Sequence, residues 1–268
     1  MDFCVHFRRP RCAVAMRFMR HESWDDALFV HYPVDAAALQ RRLPPGLVVD
    51  THDGVAYVGV VLLTESGIVP FPPRTPLWLV RWLSVSHHAV NVRTYVRPES
   101  GGPAGIYFFT LDCSALLPTI GAFALFNLPY RYSRMEREQK GARFTLRSKR
   151  VASTVAIAAE WEAEDELLAT DRSADAALGR FFVERYVLYQ PPGPLLRLFL
   201  PSGSRLWAGA ITHAPWPLRR AKLVAYGGMC SAAGVLSAVG LSELVQGACV
   251  AHTSSGVGPI EFVWRGAG

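Results

Sequence analysis

Lysine is nearly absent. The 268 residues hold only Lys140, Lys149 and Lys222, so imine chemistry would have to use one of three side chains. Lys149 stands beside Arg147 and Arg150, but strand alternation sends it to the opposite face from Arg150 and reads it as a solvated edge lysine. Lys222 reads as a helix-start or water-facing residue, and Lys140 lies in the polar stretch Arg134 to Gly141. Five cysteines (Cys4, Cys12, Cys113, Cys230, Cys249) are an odd number, scattered, with no CxxC pair. That pattern argues against a disulfide framework and a zinc site, and for a reducing, cytoplasmic or other intracellular setting. No glycine-rich phosphate loop runs from a strand into a helix, and no GxSxG elbow occurs, so neither a nucleotide cofactor nor a serine hydrolase has a motif behind it. The pair His87-His88 has no third ligand at readable spacing. No cofactor and no metal are expected.

Basic charge is also missing from the body of the chain. The formal charge is +6, but residues 1–20 hold five arginines against Asp2, which gives 5 − 1 = +4 of it. Phosphate-backbone binding therefore has little support, and nucleic acid is not an expected partner. This Arg-rich start lacks the apolar core of a secretory signal. Residues 1–22 are expected to be a poorly ordered or targeting tail, with Met16 as an alternative start, and residues 23–268 a single domain. The uncharged run Leu223 to Leu241 is interrupted by glycines and serines and lacks aromatic flanks, so it reads as a broken buried helix and not a membrane span.

What is abundant is strand. The chain is 50% hydrophobic and 11% aromatic, and strands are expected at 27–32, 47–50, 55–63, 143–150, 154–161, 185–189, 195–200, 205–212 and 256–264. Short helices are expected at 34–42, started by Asp35, at 115–126 and at 175–182. Asp53-Gly54 is read as the turn that pairs 47–50 with 55–63. Residues 64–80 are read as a long loop, and the acidic run Glu160 to Glu166 as a solvated turn. Absence of βαβ alternation and of repeats gives a mainly β (α+β) fold: one antiparallel β-barrel with a few flanking helices.

The stretch Asn91 to Asp112 reads as a hairpin around the turn-rich residues 98–105. Alternation puts Val90, Val92, Thr94 and Val96 on one face and Asn91, Arg93, Tyr95 and Arg97 on the other. An arginine on a strand built for burial either faces water, pairs with a carboxylate such as Asp112 or Glu184, or holds a ligand. Arg93 with Asn91 and Tyr95 is the ligand-binding candidate, because a guanidinium fork grips a carboxylate in two places. Glu184 is a candidate general base or the partner of Arg93, and it shares a strand face with Tyr186 while Arg185 points away. His213 is a candidate acid or base, and His31 equally a core histidine.

Ordered motifs give a resemblance over residues 24–264. They are Trp24, HYPVD at 31–35, LPPGL at 43–47, DTHDG at 50–54, NVRTYV at 91–96, Leu111-Asp112, Leu128-Pro129-Tyr130, Glu184-Arg185-Tyr186 and His213-x-Pro215-Trp216-Pro217-Leu218. Together they resemble the DUF2071 (YqjF-like) family. The resemblance implies an acetoacetate decarboxylase-like fold with a central pocket. In that decarboxylase a Pro-Lys-Lys segment carries a Schiff-base lysine beside a second cation; the matching residues here are Pro129-Tyr130-Arg131, and tyrosine forms no imine. A strand glutamate of the family is matched by Ala89. The resemblance thus adds Tyr130 as a catalytic candidate and Arg131 as a ligand-binding one, and acetoacetate decarboxylase activity itself is not expected. The function expected is a small-molecule pocket, favoured as a lyase or hydrolase of a small carboxylate or carbonyl compound that works without a Schiff-base lysine. The alternative is a non-catalytic β-barrel that binds a small ligand or a protein partner. An anionic small molecule is the expected partner, with homo-oligomerisation open.

Overall fold

The computed structural model describes residues 16–69, 84–116, 127–168, 173–194, 196–198, 205–225 and 230–267. The first half contains β1 (Met16–His21), β2 (Ser23–Val34), helix α1 (Ala36–Gln40), β3 (Leu47–Val49), β4 (Ala56–Ile68), β5 (Val85–Pro98) and β6 (Gly105–Cys113). After these come β7 (Tyr130–Lys140), β8 (Arg143–Arg150), β9 (Ala156–Leu167), helix α2 (Ala174–Val183), β10 (Val187–Gln190), β11 (Trp207–Thr212) and β12 (Leu218–Ala225). Helix α3 (Cys230–Ser237), β13 (Val250–Val257) and β14 (Ile260–Ala267) complete the described chain. Among the described residues the strands form one 14-stranded sheet, so the fold is mainly β.

The hairpin expected at 91–112 forms as the antiparallel pair β5–β6, with a bulge opposite Val92 and Arg93. Strand β6 is the junction of the sheet. Along its second edge it pairs in parallel with β10 at Ile106 and with β7 from Leu111 to Cys113. From β7 the pairings run through β8, β9, β12, β13, β2 and β4 back to β5. From β10 they run through β11 and β14 to β1. Arg20 of β1 then exchanges both backbone hydrogen bonds with Val69, just past β4, at 3.1 and 2.8 Å.

Strands β4 and β5 are shared by both routes, β2 lies beside β4, and alternation gives each face of these three strands a core of its own. One face contributes Leu28, Val30, Val58, Val60, Val90 and Val92, packed with Trp161 of β9 and Val235 and Leu236 of α3. The other contributes Phe29, Val61, Leu63 and Tyr95, packed with Ile106, Leu188, Trp207 and Phe262. Burial on both faces is why these strands read as nearly continuous apolar runs.

Several expectations are corrected. Strand β3 pairs with β5, not β4, because β4 meets β5 only as far as Thr94 and leaves Val96 to Pro98 open for β3. Residues 16–21, assigned to the tail, form β1 and pair with β14. The acidic run 160–166 belongs to β9, whose carboxylates meet Arg143 at 3.1 and 2.9 Å; two solvated faces hide a strand's period. Polar residues 134–140 are likewise strand, in β7. Leu196–Leu198 is a 3₁₀ turn, and the strand after α2 starts only at Val187, since Glu184 caps the helix with its N–H on the Arg180 carbonyl. Leu223 to Leu241 begins as the end of β12 before α3, and no described helix is long and apolar enough to cross a membrane. Strand β4 extends to Ile68 where a loop was expected; residues 70–80 and the helix expected beyond 116 lie outside the described residues.

Where β6, β7 and β8 meet, Arg150 closes on Asp112 through Nε at 2.8 Å and NH2 at 2.7 Å, and also donates to the Thr110 hydroxyl at 2.9 Å. Both ends of the pair are largely buried, so Asp112→Ala strands a guanidinium. We expect it to cost about 3 kcal/mol in denaturant unfolding, read from the midpoint at unchanged slope.

Candidate active site

A cavity of about 70 Å³ lies on the β2–β4–β5 face that packs against β10, β11 and β14. That is space for only a few waters or a handful of heavy atoms. Its wall is mostly apolar: Phe29, Val61, Leu63, Ile106, Phe108, Leu111, Leu128, Leu188, Ile211 and Phe262, with Trp24 and Trp216. The polar lining consists of His21, Glu65, Asn91, Arg93 and Tyr130. Period-2 alternation places them: Glu65 follows Val61 and Leu63 on one face of β4, Asn91 and Arg93 share a face of β5, and His21 follows Met19 on β1.

Arg93 has no carboxylate within ion-pair distance among the described residues. Its NH2 donates to the carbonyl of Phe182 at 3.0 Å, near the C-terminus of α2, where carbonyls favour a cation. The guanidinium carbon lies 5.7 Å from the Phe29 ring and 5.9 Å from the Tyr95 ring. Its Nε is buried with no partner. Two further buried atoms of the lining share that condition, Asn91 Oδ1 and His21 Nε2. Most buried polar groups are hydrogen-bonded, so three such atoms around one cavity single it out.

Glu65 is the carboxylate of the lining, 6% exposed. Its Oε2 lies 3.7 Å from His21 Nδ1 and 3.6 Å from His87 Nε2. Burial pushes its pKa up, against the pull of His87. Burial drives His21 down to about 3, helped by His87. Burial also pulls on His87, but a hydrogen bond to Cys113 and the Glu65 charge outweigh it and raise the group to about 9. The Tyr130 phenol is pushed up by burial, then by Glu65 and Cys113, and stays protonated as a donor. The tautomer of His21 follows from its partner: the Trp24 indole N–H, which can only donate, reaches Nδ1 at 2.9 Å. Neutral His21 therefore carries its proton on Nε2.

Of the residues singled out in the sequence, the cavity brings together Asn91, Arg93 and Tyr130. Tyr95 does not line the cavity: its hydroxyl meets His31 Nε2 at 2.6 Å in the core. His31 itself is a core histidine, stacked 3.6 Å from Phe182. Arg131 is exposed on β7, outside the cavity. Glu184 pairs neither with Arg93 nor with the cavity; it accepts from the Trp216 backbone N–H at 3.0 Å and from the Tyr186 hydroxyl. His213 donates from Nδ1 to the Ala214 carbonyl at 2.7 Å and stacks on Tyr186 at 4.7 Å. Neither lines the cavity, although both touch Trp216 of its wall: Glu184 through that backbone N–H, and His213 ring to ring at 5.8 Å. Arg185 is buried against Asp50 at 2.7 Å. Asp112 is taken by Arg150 and Glu184 by Trp216 and Tyr186, which engages both expected partners of Arg93 elsewhere. All three lysines are exposed, and none lines the cavity. Glu65 and His21 were missed because the strand expected on β4 stopped at Leu63 and His21 was assigned to the tail; a carboxylate at even spacing from Val61 and Leu63 was the available signal.

A family model for DUF2071, described as an uncharacterized conserved protein, matches residues 21–258. This chain is a DUF2071 protein. It is 30% identical over 210 residues to the "Uncharacterized protein YqjF" of Bacillus subtilis (strain 168), covering 76% of this chain and 77% of that one. Among solved structures, acetoacetate decarboxylase from Legionella pneumophila is similar with a TM-score of 0.58 at 12% identity, over 98% of this chain and 92% of that chain. The enduracididine biosynthesis enzyme MppR complexed with pyruvate is similar with a TM-score of 0.57 at 13% identity, over 96% and 92%. At such identities the likeness establishes an acetoacetate decarboxylase-like fold for this DUF2071 chain, and its chemistry rests on the residues above.

The two histidines predict opposite titrations. His87, raised to about 9, adds stability that is whole below its unfolded value near 6.5 and is lost as pH rises toward 9. His21, lowered to about 3, stays neutral through pH 5. Imidazole NMR titration of wild type and His87→Gln checks both, and the loss of stability between pH 6.5 and 9 should be smaller in the variant.

Proposed function

We propose that this DUF2071 protein binds a small carboxylate or carbonyl compound in the Arg93 cavity and acts on it as a lyase or hydrolase without a Schiff-base lysine. The observation that carries the reading is a partly buried guanidinium with an unpartnered buried Nε and no carboxylate within ion-pair distance, on the wall of a small, mostly apolar cavity that also holds the Glu65 carboxyl group and a fixed imidazole donor. A charge in that setting is stable only if something neutralises it, and a bound carboxylate does so through charge-assisted hydrogen bonds. Asn91 and Tyr130 orient the ligand. Trp24 and Trp216 close the wall and limit its size. The occurrence of pyruvate in MppR, a protein of the same fold, agrees with a ligand of this size and charge. We read the two strand circuits that meet at β6 as the walls of a barrel-like body, with residues 23–268 and the paired β1 acting as one domain.

Titration calorimetry with pyruvate and acetate tests the reading. Saturable binding is expected in the wild-type protein, and Arg93→Gln should weaken it by about tenfold or more. Equal affinity in the variant, or no binding of either anion, contradicts it.

A further inference from the structure

The cavity lining contains more than an anion holder needs. Arg93 suffices for a carboxylate, yet Glu65 is also present, desolvated and bracketed by His21 and His87 at 3.7 and 3.6 Å. His21 is fixed by the Trp24 indole as an Nε2–H donor, and that Nε2 has no protein partner although the residue is only 2% exposed. A carboxylate base beside a neutral imidazole donor is a recurrent arrangement for moving a proton from the carbon next to a carbonyl: the carboxylate takes the proton, and the imidazole N–H holds the oxygen on which charge develops. The rest of the wall is apolar, which suits a methyl or short alkyl group.

Building on the anion-binding reading above, we propose that the site enolises a small 2-oxo acid held by Arg93, with Glu65 as the base and His21 as the donor to the ketone oxygen. In the forward step the bond from the adjacent carbon to hydrogen breaks and the proton goes to Glu65. The freed electron pair forms a carbon–carbon double bond, and the carbonyl π pair moves to oxygen, which accepts from His21 Nε2–H. Return of the proton from Glu65 to carbon restores the ketone, so the cycle is balanced and needs no co-reactant. His87 positions Glu65, and Trp24 positions His21 by fixing its tautomer. Ala89 lies diagonal to Glu65 across β4–β5, where Leu63 pairs with Ala89 and Glu65 with His87.

The test is solvent exchange into pyruvate by the full chain in D₂O, followed by loss of the methyl proton NMR signal, with pyruvate binding measured in parallel. Exchange faster than in buffer and saturating in pyruvate is expected. Glu65→Gln should lower it by about 100-fold or more while binding is retained. Should Glu65→Gln fail to fold, judged by circular dichroism, Glu65→Asp serves in its place: it keeps the charge but withdraws the oxygen by one methylene, and is expected to lower exchange in the same way. Pyruvate binding without exchange, or exchange in a folded Glu65 variant at the wild-type rate, overturns the enolisation and leaves anion binding standing. Failure to bind pyruvate overturns the enolisation, and failure to bind acetate as well overturns the anion-binding reading.

Discussion

A guanidinium on the wall of a mostly apolar cavity, with no carboxylate within ion-pair distance among the described residues, is the constraint on which this site depends. Burying an unpaired charge is costly, and the surroundings of Arg93 reduce that cost only in part. The Phe182 carbonyl takes one N–H, and two aromatic faces lie near the cation. The two carboxylates expected from the sequence to pair with it are engaged elsewhere: Asp112 by Arg150, and Glu184 by Trp216 and Tyr186. Each of these pairings keeps one acid away from Arg93.

The fold makes that possible by giving β2, β4 and β5 two buried faces. One face packs a dry core against β8, β9 and α3, and the other holds the cavity. Because the side-chain period is two, a single polar residue in an apolar run reaches one compartment without disturbing the other. Glu65, Asn91 and Arg93 occur on these strands at the cavity-facing parity. Helix α2 contributes through its C-terminal end: Phe182 supplies the carbonyl for Arg93, and its ring lies against His31 and Tyr95.

The β class, the hairpin at 91–112 and the shared face of Asn91 and Arg93 were legible in the sequence, because Val90, Val92 and Val96 mark one parity of the strand as apolar and leave Asn91 and Arg93 on the other. Tyr130 was reached only through the resemblance and not from the spacing of the residues around it. The pairing of β3 with β5, and the strands within the polar runs 134–140 and 160–166, were not legible; solvated strands lose alternation, and partner choice depends on which edge is open. Tyr95, Glu184 and His213 do not line the cavity. Their own hydrogen bonds, to His31, to Trp216 and Tyr186, and to Ala214, are what turn them from the cavity, and sequence spacing does not show such bonds. His21 was hidden for a different reason, since an Arg-rich start reads as a tail until β14 pairs with it.

The central claim is that the charge on Arg93 is completed by a ligand and not by the protein. A crystal structure of the full chain grown with pyruvate tests this most directly. The account predicts a carboxylate in the cavity within hydrogen-bond distance of the Arg93 guanidinium, with the ketone oxygen toward His21. An empty or water-filled cavity at saturating pyruvate, or an Arg93 turned onto a carboxylate of the protein itself, would contradict it.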